Sequence, residues 1–181
     1  MQTLSKTRLL VLNGVIAATY AALTLAASAL NLAYGPVQFR FSEALTVLPF
    51  LFPGTWPGLF VGCLVANLLS PYGLIDIAVG STATLLAALW TARVRSKWMA
   101  PFPPVLCNMV LVGGMIAWYE VGFTAAFPKL FALNALWVGI GEAAVCYILG
   151  MLLLREIPKV SYLRRYMGSR ALTPEQRIGA M

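Results

Sequence analysis

Long apolar runs separated by short polar breaks dominate this chain. Six such segments cover about 9–34, 43–52, 56–70, 74–93, 104–122 and 130–154. The first and last are long enough to cross a hydrocarbon core of ~30 Å with some tilt. The second is not, because ten residues at ~1.5 Å each span about half that core. Pro49, Pro53 and Pro57 frame the turn after it, so segments two and three read as one bent, partly buried unit. Broken backbone at membrane depth is tolerated only against protein or a wet cavity. The second segment is therefore a candidate pocket wall.

The break before it is the most polar stretch within the apolar part of the chain. Residues 35–49 read GPVQFRFSEALTVLP. Gly35-Pro36 interrupts the first apolar run, and Gln38 and Arg40 then alternate with Val37, Phe39 and Phe41 in an extended pattern. Ser42 is placed to cap a helix beginning at Glu43.

Composition fixes the class. Of the 181 residues, 60% are hydrophobic and 10% charged, and the mean hydropathy is +0.82. Soluble domains carry roughly a quarter charged residues. The expected fold is an all-α integral membrane protein, a compact six-transmembrane-helix bundle over residues 1–158. Residues 159–181 are expected to form a basic, mobile cytoplasmic tail. No cleavable signal peptide is expected, since the apolar run from Leu9 is longer than a signal core. Charge orients the bundle. With the N-terminus inside and six crossings, the cytoplasmic face holds Lys6, Arg8, Arg93, Arg95, Lys97, Arg155, Lys159, Arg164, Arg165, Arg170 and Arg177. Only Arg40 and Lys129 fall outside. This positive-inside bias predicts N-in, C-in topology in the cell membrane, and it accounts for the +7 net charge without nucleic acid as a partner.

The remaining polar residues carry the candidate chemistry. Glu43, Asp76 and Glu120 fall near outer segment ends, and Glu142 lies midway along the last. A carboxyl at mid-membrane costs about 2.5–3.5 kcal/mol on insertion scales, so it persists where it faces a partner, a cavity or a ligand. The candidate substrate-binding set is Gln38, Arg40, Glu43, Asn67, Asp76, Asn134, Trp137 and Glu142. A plainer reading makes these internal ion pairs and hydrogen bonds, Arg40 with Glu43 for example. Against that, acids and amides outnumber bases on this side, which suits a donor-rich ligand. Trp118, Tyr119 and Trp137 are placed either to stack on a flat ring or to form an interfacial aromatic belt. Ala18, Ala22 and Ala26, with Ala17 and Ala21 beside them, give small residues at helical spacing. They serve either internal packing or a partner interface. Segment four has a similar stripe, Asp76, Gly80, Ala83, Thr84, Ala87 and Thr91, expected to pack internally.

Several chemistries are excluded. There is no histidine, hence no His-based dyad or His-ligated metal. Cys63, Cys107 and Cys146 are scattered in apolar runs and read as core residues. No phosphate-binding loop motif, H-E-x-x-H or G-x-S-x-G occurs. No cofactor or metal is expected, and the chain is not expected to be an enzyme.

Residues 35–49 resemble the signature of the QueT family, the queuosine-precursor substrate-binding (S) components of energy-coupling factor (ECF) transporters. Gly35, Gln38, Arg40, Ser42, Glu43, Ala44, Leu45, Leu48 and Pro49 carry that similarity. Asn67, Ser70, Pro71, Gly73, Asp76, Gly80 and Thr84 look like a second block. Asn108, Gly141-Glu142-Ala143 and Gly150 look like a third. The resemblance implies a six-helix S component of an ABC-type vitamin-uptake system that captures queuine or a related 7-deazaguanine from outside. It implies a membrane-embedded coupling (T) subunit and two ATPase subunits as partners. It also makes Ala18, Ala22 and Ala26 the docking face for the coupling subunit. Glu142 would accept the guanine edge, Glu43 or Asp76 would neutralise an aminomethyl cation, and Arg40 or Gln38 would donate to the ring carbonyl. The alternatives are an S component for another vitamin, a stand-alone secondary transporter or channel, and an intramembrane enzyme using Asp76 and Glu142.

Overall fold

The computed structural model describes residues 5–33, 38–164 and 166–168. The Gly35-Pro36 break, Arg165, Arg170, Glu175 and Arg177 lie outside the described residues, as does most of the expected tail. The described chain is helical, with no strand. Helix α1 spans Lys6–Ala29, α2 Leu48–Leu51, α3 Trp56–Asn67, α4 Leu74–Thr91, α5 Phe102–Val121, α6 Phe127–Ala144, α7 Met151–Glu156 and α8 Ser161–Arg164. Short 3-10 turns precede α2, α3, α5 and α8, and a π-helical stretch, Val145–Gly150, joins α6 to α7.

Among the described residues, four stretches are long and apolar enough to cross a membrane: Lys6–Ala29, Leu74–Thr91, Lys97–Val121 and Phe127–Lys159. The other two expected segments are shorter. Phe41–Leu51 is a 3-10 helix continued by α2, and α3 has 12 residues, about 18 Å of helix. Prolines start the helices where the missing N–H costs nothing: Pro57 in α3, Pro103 in α5 and Pro128 in α6. Gly73 and Gly122, at φ of 64° and 60°, supply the left-handed turns that open α4 and close α5.

Close helix contacts use small residues. A Cβ on Gly62 would meet Ala17 and Tyr20 of α1, and one on Gly113 would meet Ala135 of α6 at 2.7 Å. One apolar core gathers Tyr20, Val47, Leu51, Leu59, Cys63 and Leu154, and a second gathers Ala83, Val112, Met115, Ile116 and Val138. The fold continues past Pro158: Met167 is buried in the first core, and the Gly168 amide donates to the Leu51 carbonyl at 2.9 Å. On the outside, Leu10, Val15, Leu25, Val65, Leu86, Val110, Leu136, Ile140 and Leu152 are exposed, an apolar surface suited to lipid.

Described basic residues of the two terminal regions and of the turn at 97–99 lie toward one end of the bundle. Arg8 Nη1 donates to the Tyr166 hydroxyl at 2.5 Å, joining the two terminal regions. The turn at Lys97–Met99 packs against α7 at that same end.

Candidate functional site

Phe41–Leu51 is unusual for its backbone as well as its sequence. Runs of 3-10 helix longer than three or four residues are uncommon, and Phe41–Val47 has seven. Ser42, Glu43, Ala44, Thr46, Val47 and all of α2 are buried, so the irregular backbone is covered by protein, as a low-dielectric surrounding requires. Ser42 does not cap a helix starting at Glu43. It lies inside the 3-10 run, and its hydroxyl is 2.7 Å from that of Thr24, which donates to it. A side chain bonded across to α1 replaces the expected local cap.

The segment faces the irregular part of the last helix. A Cβ on Gly150 would meet Val47 Cγ1 at 2.9 Å, and one on Gly141 would overlap the Gln38 carbonyl. The π turn thus packs closely on the 3-10 run, and α6 lies against the backbone just before that run. Glu43 and Glu142 project from the two sides of that contact, both about 1% exposed. The Cys146 thiol links them, 3.5 Å from the Glu43 carbonyl and 3.8 Å from Glu142 Oε2.

Around these carboxyls the other helices add polar groups. Tyr20 on α1 donates its hydroxyl to Glu43 Oε1. Arg40 Nη2 donates to Asn67 Oδ1 at 2.5 Å, and the guanidinium lies near Glu43 and Asp76. Asn67 Nδ2 in turn donates to the Asp76 carbonyl at 3.0 Å. Gly80 makes room for this corner, since a Cβ there would meet Asp76 Oδ1 at 2.5 Å and Asn67 Nδ2 at 2.8 Å. Asn108 on α5 neighbours both Glu43 and Glu142. Buried side-chain atoms without a hydrogen-bond partner among the described residues include Glu43 Oε2, Asp76 Oδ1, Ser81 Oγ and Asn108 Nδ2. A buried polar atom left unpaired costs free energy, so each of these needs a physical account.

The structure therefore brings together Gln38, Arg40, Glu43, Asn67, Asp76 and Glu142, each at most 3% exposed. Two of the eight candidates stand apart. Asn134 donates to Glu120 Oε2 at 3.1 Å, eight residues and about 12 Å along α6 from Glu142. Trp137 is 40% exposed and lies about 140° around the helix from Glu142, on the outer surface. Trp118 and Tyr119 are likewise exposed, in keeping with an aromatic belt.

Sequence reasoning overlooked Tyr20 and Thr24. Their four-residue spacing was the available signal, since it places both on one face of α1. Ala18, Ala22 and Ala26 occupy the opposite side and are exposed, while Ala17 and Ala21 are partly buried. Cys63, read as a plain core residue, also takes part, accepting from Thr84 Oγ1 at 3.2 Å and Asn67 Nδ2 at 3.4 Å.

Residues 10–159 match the family model described as QueT transporter. A curated relative, the queuosine precursor transporter QueT of Lactococcus lactis subsp. cremoris (strain MG1363), is 35% identical over 82 residues. That alignment covers 45% of this chain and 48% of the relative, so the chain spans about half the length of the relative it matches. No solved structure matches the chain.

Proposed function

The chain belongs to the QueT transporter family, and from that premise we propose that it is the substrate-binding component of an ECF transporter, capturing a queuosine precursor from outside the cell. The observation that carries this reading is the buried set of Arg40, Glu43, Asn67, Asp76 and Glu142, with acceptor atoms to spare. One guanidinium stands among three carboxyl groups, so the set is short of both donors and positive charge. Burying such groups without compensation costs several kcal/mol each, on the order of the cost for any ion removed from water. A 7-deazaguanine is the matching shape: its N1–H and exocyclic amine form a donor pair for one carboxylate. An aminomethyl substituent at the 7-position adds a cation for a second.

In this reading Glu142 takes the guanine edge, and Glu43 or Asp76 faces the cation. The chain crosses the cell membrane six times with both termini inside, the shorter Phe41–Leu51 and α3 segments included. It has no motor of its own. The exposed stripe of Ala18, Ala22 and Ala26 is the docking face for a membrane-embedded coupling subunit, and two partner ATPases supply the energy. Small side chains there let a partner helix approach closely and gain van der Waals contact.

Binding of 7-aminomethyl-7-deazaguanine to purified wild type and Glu142→Gln tests the assignment. Gln keeps the shape but presents an amide donor where a charged acceptor stood. We expect affinity to fall at least about 100-fold, since a hydrogen bond to a charged group is lost and a donor is left facing a donor. Unchanged affinity would remove Glu142 from the guanine edge.

A further inference from the structure

We propose that Asn108 reads the ring carbonyl of the bound 7-deazaguanine, making this α5 residue a specificity determinant of the site; the proposal rests on the functional reading above. Asn108 is 3% exposed on a helix that is otherwise almost wholly apolar, and its Nδ2 meets no hydrogen-bond partner in good geometry among the described residues. The carboxamide lies beside both Glu43 and Glu142. An ionised carboxylate only accepts, so Glu43 and Glu142 can receive N–H groups but can offer nothing to a carbonyl. The amide nitrogen of Asn108 can.

The order of groups on the ligand fits that arrangement. On a 7-deazaguanine the 2-amino group, N1–H and C6 carbonyl follow one another along a single edge. A carboxylate that takes the first two leaves the carbonyl immediately alongside, where a donor neighbouring the carboxylate must meet it. Asn108 is a buried donor beside Glu142. Of the other donors considered for the role, Arg40 gives one Nη2–H to Asn67, and the Gln38 backbone is seated on Gly141. A 7-deazaadenine edge presents the reverse pattern, an acceptor at N1 toward the carboxylate and an amine toward Asn108, and it is rejected twice.

The test pairs two ligands with three proteins. Affinities of 7-aminomethyl-7-deazaguanine and its 6-thio analogue are measured by calorimetry on full-length wild type, Asn108→Ala and Asn108→Leu. The thio analogue keeps N1–H and the amine but weakens the acceptor. Leucine keeps the branched shape of asparagine without a donor, though it is larger, so the alanine and leucine variants err in opposite directions on cavity size and the leucine variant serves if the alanine variant fails to fold. Wild type is expected to favour the oxo ligand by at least about tenfold, and both variants to lose that preference to within about twofold while holding the thio ligand nearly as well. Equal weakening of both ligands would make Asn108 a support for the carboxylates and overturn the assignment. A preference that survives in Asn108→Leu would overturn it too. Wild-type binding to neither ligand would overturn the functional reading and this assignment with it, a result distinct from intact wild-type binding with an unchanged preference.

Discussion

Glu43 is held at three points and open at a fourth. Tyr20 bonds Oε1, while Thr46 Oγ1 at 2.5 Å and the Cys146 thiol at 3.5 Å meet its backbone carbonyl. Oε2 is left without a partner. Such a residue is positioned by its protein contacts and keeps one acceptor for something else. Removing the Tyr20 hydroxyl should expose the dependence. Tyr20→Phe keeps the ring in the core but strips Oε1 of its donor, so the folded protein should lose about 1–3 kcal/mol. Thermal unfolding in detergent measures this. Ligand affinity should fall as well, because Glu43 gains freedom to turn. A variant with wild-type stability and affinity would mean the contact does not position Glu43. The polar character of Gln38, Arg40, Glu43, Asp76 and Glu142 was legible along the chain, since each interrupts an apolar run. Tyr20 and Thr24 were not, because an amphipathic residue within an apolar helix looks like packing until its cross-chain partner is known. Asn134 lies about two turns along α6 from Glu142 and Trp137 faces outward, a matter of rise and ~100° steps around α6 that the apolar pattern of a lipid-facing helix hardly encodes.

Two irregular elements, the 3-10 run at Phe41–Val47 and the π turn at Val145–Gly150, form the structural basis of the site. Their prolines and glycines were visible, and the shortness of the second segment predicted a buried, broken unit. The helix type was not predictable, because the two stretches meet only across a hundred residues of chain. Gly141 is where this can be tested. A methyl group there would drive into the Gln38 carbonyl, and overpacking of that kind costs about 1–3 kcal/mol. Gly141→Ala should therefore shift residues 38–41 and weaken ligand binding, as read by calorimetry. Ala22 on α1 makes the contrasting case. It is exposed and faces away from Tyr20, so Ala22→Trp should leave ligand binding by the isolated protein within about twofold yet abolish assembly with the coupling subunit and uptake. Loss of ligand binding in that variant would show that this face serves the bundle itself.

At the scale of the molecule, charge and polarity are separated along the bundle. The basic residues of the termini and of the 93–97 turn gather at one end. The buried acids and amides lie between mid-bundle and the opposite end, where α4 begins with Asp76 in its first turn. An apolar surface surrounds both. This division suits a protein that holds its basic end toward the cytoplasm and receives a donor-rich ligand from the other side. Class, membrane placement and the polar set could be read from composition and run length. The assembly of one site from α1, the 3-10 run, α3, α4, α5 and α6 required the fold. The most direct measurement is a calorimetric panel on the purified wild type, setting 7-deazaguanines against riboflavin, biotin and thiamine. Tight binding to a 7-deazaguanine, with no heat from the three vitamins, is the result predicted here. Binding to one of those vitamins, with none to any 7-deazaguanine, would contradict it.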